Sequence, residues 1–522
     1  MKLEKTETLN QDQKMRFTIF SILFCALIAF GTSCRKNFEF APSAGNLEFS
    51  KDTVFLDTIF SNIGSSTYSL TVYNTTRDDI EIPSIRLQQG SQSGYRLNVD
   101  GVAGKEFQNI PILAQDSMFI FIETTFDIAN IGQKEFLYTD KLLFDVDEDR
   151  QEVELVALVK DAVFLFPEKN AQGIKETISL GTDINGEEII VDGFMLENER
   201  LQFTNQKPYV IYGYAAVPEG KTLSVEAGSR VHFHSDSGIY VRGGGKLQVN
   251  GSLSEDPALL ENEVIFEGDR LEPEFDGIPG QWGAVLIAPG SIENTIYYLT
   301  IKNASIGLLV QGNAILDAPT LTLRNSQIHN SLNVNLWAKS AKVIGENLIL
   351  GAAGNQSLYC NNGGHHTFRH CTFANYWING FRLGPAVQID NSTGTQPENL
   401  NNVTFINCII EGSQARELQL LENESNTFDF SFTNCLIRFE KNGQFENNPL
   451  YNFENEALYQ NNIFNESAGF FDAFTGDYRI EESSAANGKA EPDTALQIPL
   501  DLFGINRTNA PEIGALEITP QN

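Results

Sequence analysis

The chain has 522 residues, with 68 acidic against 36 basic side chains, a formal net charge of −32 and six cysteines. This length exceeds what one ordinary hydrophobic core supports, so at least two domains are expected. The acidic balance excludes nucleic acid and anionic lipid headgroups as surface partners and leaves cations, basic proteins and neutral glycans.

Residues 1–14 are polar and mixed in charge. Met15 and Arg16 then introduce an apolar run from Phe17 to Phe30 that closes on Gly31, Thr32, Ser33 and Cys34. The run is too short to span a bilayer and reads as a secretory signal. Its ending resembles the lipoprotein signals of Bacteroidota, with Met15 as the true start and Cys34 as the lipid-accepting first residue of the mature chain. It departs from that pattern at Gly31, where a larger apolar residue is usual. The resemblance implies a signal peptide and lipobox over residues 1–34 and an outer-membrane lipoprotein, anchored to the membrane through an N-terminal lipid and facing the periplasm or the cell surface. Losing residues 1–33 removes four basic and three acidic side chains, which moves the net charge from −32 to −33.

Short alternating runs follow, among them SSTYSLTVYN, SMFIFIETTF, KLLFDV and QEVELVALVK, separated by Asn, Asp, Gly and Pro clusters. Period-2 runs with such punctuation predict an antiparallel sandwich over residues 45–160. It resembles the immunoglobulin-like modules that precede β-helices in bacterial surface proteins, which implies a spacer or docking role. Asp145, Asp147, Glu148 and Asp149 are spaced like the start of a calcium loop, but an EF-hand needs Gly and Glu where Arg150 and Val156 stand. A hairpin tip explains them more simply, and no cofactor is expected. Residues 161–204 read as a connecting and capping segment with one or two hairpins.

Across the C-terminal half a register repeats. Around Asn303, Asn325, Asn347, His370, Asn407 and Asn434 an apolar residue tends to stand four before, two before and three after, at anchor spacings of 22, 22, 23, 37 and 27 residues. A seventh, weaker copy centres on Asn461 with Phe464. Alternation that skips once is two short strands meeting at a corner, and an amide at the corner tolerates the sharp bend and can bond its stacked neighbours. A period of this length marks a solenoid. TLSVEAGSRVHFHSDSGIYVRGGGKLQVNGS, together with GDYRI, DLFGINR and EIGALEI near the end, resembles the right-handed parallel β-helix repeat family, the pectate-lyase-like superfold. The resemblance implies an all-β chain: an N-terminal β-sandwich followed by a right-handed parallel β-helix over residues 205–518.

Cys371, Cys408 and Cys435 directly follow ladder positions, in a column that favours a small side chain, so stacked buried thiols are expected. Bridges between Cys360 and Cys371 or between Cys408 and Cys435 are the rival in an oxidising compartment. CNNGGHHTFRHC gathers Cys360, His365, His366, His370 and Cys371, yet no metal motif spacing occurs, and structural histidines are expected there and at His232 and His234. RGGGK, Arg242 to Lys246, lacks the spacing of a phosphate loop and reads as a turn.

The long insertion NYWINGFRLGPAVQIDNSTGTQPEN brings together Tyr376, Trp377, Arg382 and Asp390, a stacking and charged set suited to sugars, which Trp337 can join from the preceding coil. These five are the candidate ligand-binding residues, and no catalytic residue is assigned. The expected function is a non-catalytic cell-envelope lipoprotein whose β-helix presents a binding surface, for glycans or envelope proteins, or a structural one. The alternative is a polysaccharide lyase or glycoside hydrolase acting on the outer face. The two differ in whether three or more polar residues, including a base or a carboxylate pair, converge in one groove.

Overall fold

The computed structural model describes residues 40–128, 134–145, 150–183, 185–256, 258–312, 317–392 and 398–519. Cys34 with the signal region lies outside them, as do Asp147, Glu148 and Asp149. The described chain is all-β; its one described α-helix is Pro492–Gln497, and no described helix is long and apolar enough to cross a membrane. It divides into two compact units. One takes in the described residues up to Leu56 with Gly64–Phe126 and Leu137–Ala157, and the other takes Asp57–Ile63, Asp127–Phe136 and everything from Leu158.

The first unit is built on two sheets. One runs Ala41–Pro42, Ile80–Leu87, Glu135–Phe144, Gln151–Lys160, Thr53–Phe60, with Glu106–Ile112 added against Ile80–Leu87; the other runs Glu48–Phe49, Tyr68–Tyr73, Ser117–Thr124, Tyr95–Val99, Val102–Gly104. Alternation does what the sequence pattern predicts: Val153, Leu155 and Ala157 of one sheet and Leu70, Ile120 and Ile122 of the other are fully buried. Phe49 meets Phe144 at 4.7 Å and Tyr95 stacks on Tyr138 at 5.0 Å, joining the two sheets. Asp145 accepts hydrogen bonds from the Ser43 hydroxyl and from Gly45 N (3.4 Å). Its carboxylate therefore ties the segment around Ser43 and Gly45 to the end of the strand Glu135–Phe144.

In the second unit two described hairpins are antiparallel, Thr177–Thr182 against Glu188–Met195 and, near the end, Phe470–Asp472 against Asp477–Ile480. Between them, strands pair in parallel with the strand about one repeat later: Tyr209–Ile211 with Arg230–Phe233, that strand with Val264–Gly268, and that with Leu299–Lys302. Parallel neighbours cannot be joined by a tight turn, so a whole repeat of chain separates each pair. The apolar columns come out in register. Leu323, Gly345, Phe368, Phe405, Phe432 and Tyr459 lie opposite one another in turn, and so do Ile328, Leu350, Phe373, Ile410, Ile437 and Phe464. The 37-residue spacing thus leaves the register intact, and the seventh copy joins it. Phe368, Phe405, Phe432 and Tyr459 stack at 4.8–5.5 Å; each fully buried side chain of this size contributes about 2–3 kcal/mol.

Corners sit where the amides predict them. Asn325, Asn347, His370, Asn407, Asn434 and Asn461 all have left-handed backbones, φ between 48° and 57°. Asn303 belongs to a different corner, and the expected ladder is corrected there. Its φ is 63°, but Ile301 pairs with Ile328 and Lys302 with His329, so Asn303 stacks on Asn330, whose amide donates to Asn303 Oδ1 at 2.6 Å. The place before Asn325 falls to Tyr298, φ 47°, next to the Tyr297–Arg324 pair. Both corners are preceded by the same apolar alternation, so periodicity by itself assigns Asn303 to the wrong one.

The C-terminal stretch returns over an outer face. Tyr478, Leu502, Ala515 and Leu516 pack on Ile349 and Ala374, and Ile480, Ala486, Ala490 and Ile513 pack on Ile409 and Leu436. Corner amides reach this cover: Asn347 Nδ2 donates to Leu500 O (2.9 Å), Asn407 Nδ2 to Glu491 O (3.0 Å) and Asn434 Nδ2 to Lys489 O (2.9 Å). Only part of the ladder bonds within itself, as where Asn347 Nδ2 donates to Asn325 Oδ1 at 2.8 Å.

Cys371, Cys408 and Cys435 occupy consecutive positions of one interior column, and all four described cysteines are free and buried. Stacked parallel strands aim these three thiols the same way, and each bonds a carbonyl two residues back, at 3.3–3.4 Å. Cys360 lies on another strand, between Ala338 and Ile389. The thiols are stacked and buried as expected, and neither rival bridge is present.

Candidate ligand-binding groove

Strand alternation turns Leu299 and Ile301 inward and Thr300 and Lys302 outward. Because Lys302 pairs with His329, two titratable side chains stand side by side on neighbouring strands. The row begins earlier: His232 pairs with Glu267, and Glu267 Oε2 lies 2.8 Å from Lys302 Nζ. Past His329 the row continues as Gly351 and Ala374. It shrinks there because the cover lands on it: a Cβ at Gly351 would stand 2.4 Å from the Tyr478 ring. The last uncovered positions of the face are therefore its polar ones.

A groove of about 430 Å³ opens at that edge, within the usual range for small-ligand sites. Ile265, Thr300, Lys302 and His329 line it along the strands; Asp276 and Gly277 line it from the loop after Glu267; Tyr376, Phe474 and Tyr478 line it from the insertion and the cover. Lys302 Nζ also bonds Asp276 Oδ1 at 2.9 Å. Burial opposes the Lys302 charge, but Glu267 and Asp276 outweigh it and raise its pKa. Burial, helped by the neighbouring Lys302 ammonium, holds His329 down at about 4, so its ring is neutral at pH 7 and presents one donor and one acceptor. Phe474 is 57 % exposed and meets Tyr376 edge to face at 5.3 Å, giving the groove a ring surface.

Of the five residues expected to bind ligand, only Tyr376 lines this groove. Trp377 is buried beneath the bend, its ring near Gly354. Arg382 is buried in a two-pronged ion pair with Glu417 (3.0 and 2.6 Å) and does not line the groove. Asp390 is buried and accepts from Tyr359 Oη (2.8 Å), Asn361 Nδ2 (3.0 Å) and Asn362 N (2.8 Å). Trp337 stacks on Tyr359 at 5.5 Å with the planes 23° apart. One face of each ring is used in that stack, and neither ring lines the groove.

The histidine-rich stretch also fans out. His366 is wholly buried in the interior column between Val343 and Val403, His370 sits in the corner column bonded to Asn407 (2.9 Å), and His365 is only half-buried, paired with Lys342. Three directions from one strand cannot converge on one ion.

The groove residues Lys302, His329, Asp276 and Phe474 escaped the sequence reading. The signal was present in the outward positions between the apolar ones, but aligning Asn303 with Asn325 sets Lys302 beside Arg324 and hides its neighbour His329.

Beside the groove, Glu263 is buried (2 % exposed) and accepts from the Thr300 hydroxyl at 3.3 Å; burial pushes its carboxyl from 4.5 up to about 7. The folded state therefore holds a proton that the unfolded chain releases, and stability falls as pH rises from about 4.5 to about 7. Glu263→Gln should leave the thermal midpoint unchanged at pH 4 and raise stability by about 3 kcal/mol at pH 8, read by calorimetry at both pH values. Equal midpoint shifts at both would show that the carboxyl titrates normally.

No protein-family model and no curated protein matches this chain. Among solved structures it is similar over 25 % of its length to a PapD-like domain of human CEP192, at 10 % identity and covering 94 % of that chain, with a TM-score of 0.15. It is similar over 28 % to the periplasmic chaperone SfaE, at 13 % identity and covering 82 % of that chain (TM-score 0.15). Over 23 % it is similar to a family 123 glycoside hydrolase from Clostridium perfringens, at 7 % identity and covering 29 % of that chain (TM-score 0.16). None of these likenesses bears on function.

Proposed function

We propose that this chain is a cell-envelope lipoprotein, tethered through Cys34, in which an immunoglobulin-like sandwich precedes a right-handed parallel β-helix whose groove binds glycans without cleaving them. The repeat-long parallel pairings support the helix, and parallel crossovers are right-handed in nearly all known cases. One observation carries the binding role: outward Lys302 and His329 on neighbouring strands lie beside a ring wall of Phe474 and Tyr376 in one groove. Hydroxyls suit the polar side, and the apolar face of a sugar suits the rings.

Binding is favoured over hydrolysis because both carboxylates nearest Lys302, Glu267 and Asp276, are tied to that ammonium. Hydrolysis needs one carboxyl kept protonated as acid and facing the substrate beside a free carboxylate; the raised carboxyl nearby, Glu263, is buried and does not line the groove. The test is a glycan array probed with the full-length chain in detergent micelles, with the same samples assayed for new reducing and unsaturated ends. Retention without new ends is the expected result. New ends would replace capture with cleavage, and silence across the array would end the glycan reading.

A further inference from the structure

Resting on that glycan-binding reading, we infer that the groove selects uncharged glycans over acidic ones, and that Asp276, with Glu267, determines this specificity by neutralising Lys302. A basic residue at the bottom of an open groove ordinarily invites a carboxylate or sulfate. Here the invitation is already taken. Lys302 Nζ lies 2.8 Å from Glu267 Oε2 and 2.9 Å from Asp276 Oδ1, so one positive charge stands between two negative ones and the cluster sums to −1. His329 adds no compensating charge, because burial and Lys302 keep its ring neutral.

The hydrogen-bonding groups left over define the partner. Two of the three Lys302 donors are used, leaving one. The His329 ring makes no hydrogen bond to the described residues, and so keeps a donor on one nitrogen and an acceptor on the other. Asp276, with its side chain 74 % exposed, keeps acceptor capacity facing the groove. Donors and acceptors interleaved at this spacing suit hydroxyls, which do both. A carboxylate, which only accepts, finds one ammonium proton and one imidazole proton while facing the uncompensated charge of the cluster. Phe474 and Tyr376 supply a surface for the C–H face of the ring.

The test uses the full-length chain in micelles on an array holding mannan, xylan, galactan and β-glucan beside polygalacturonate, alginate and chondroitin sulfate, for the wild type and for Asp276→Asn. Asp276 is exposed on its loop, so the substitution removes the charge and leaves the fold in place, and the amide oxygen can still accept from Lys302. The wild type should retain uncharged polymers. The variant's affinity ratio of acidic to uncharged polymers should rise about tenfold, as expected for removing one unit charge a few ångströms from a partly solvated ammonium. Wild-type binding confined to acidic polymers, or a ratio that Asp276→Asn leaves unchanged, overturns this inference and leaves glycan binding standing. A wild type that retains nothing on the array overturns the glycan-binding reading itself, and this inference with it.

Discussion

Replacing Arg382 by alanine is expected to cost about 3–5 kcal/mol of stability, the range for removing one partner of a buried ion pair. The guanidinium grips both oxygens of Glu417, and the two side chains are 5 % and 0 % exposed. Glu417 also accepts from Ala386 N (2.8 Å) and Gln414 N (2.7 Å), so the carboxylate organises the chain on both sides of it. Burial raises the Glu417 pKa and Arg382 opposes the rise, so without Arg382 the carboxyl is left buried without a counter-charge. The double variant Arg382→Met with Glu417→Gln keeps an oxygen for the two backbone donors and removes both charges. It should recover more than half of the loss, since an uncharged replacement of a buried pair is often close to neutral. Denaturant midpoints of the three proteins measure this. If Arg382→Ala unfolded at the wild-type midpoint and instead lost glycan binding, Arg382 would be a ligand group, as its place in the insertion first implied.

Arg382 illustrates which features a sequence makes legible. The interior columns were legible because burial admits only a few side chains, and Phe368, Phe405 and Phe432 repeat that choice on three consecutive copies. The corners were legible because a left-handed backbone favours Asn. Outward residues carry no such restriction, and their meaning depends on what comes to lie over them. Arg382 and Asp390 have the composition of a sugar site and are occupied by Glu417, Asn361 and Tyr359, contacts made across 29 to 35 residues of chain. Lys302 looked unremarkable because its partners Glu267 and His329 are fixed by register, and one corner placed one column away changes every outward neighbour. The cover was equally hidden: nothing in the local pattern of Asn407 tells that its amide faces Glu491.

That contact sets the second large effect. Asn407→Ala should destabilise the chain by about 3–5 kcal/mol, combining one or two unsatisfied buried backbone groups with a left-handed alanine. Asn407 is fully buried at φ 57°; its Nδ2 donates to Glu491 O (3.0 Å), and its Oδ1 accepts from Glu491 N (2.6 Å). The two bonds pin the returning chain to the corner column, next to the packing of Ala490 and Ile513 on Ile409 and Leu436. Asn407→Gly relieves the backbone term and keeps the lost bonds, so it should be milder than alanine by about 1 kcal/mol. Asn325→Ala separates the two accounts of the ladder. Asn325 has the same left-handed backbone and bonds Asn347, but makes no hydrogen bond to the described part of the cover, so it should cost only about 1–2 kcal/mol. Limited proteolysis supplies the local readout: Asn407→Ala should speed cleavage between Gly469 and Pro511, and Asn325→Ala should not. Equal losses at the two positions would mean that stacked amides stabilise the paired strands by themselves. A larger loss at Asn407 means that the column acts chiefly as the seam along which the C-terminal chain closes the outer face, which is also what leaves Lys302 and His329 at its open edge.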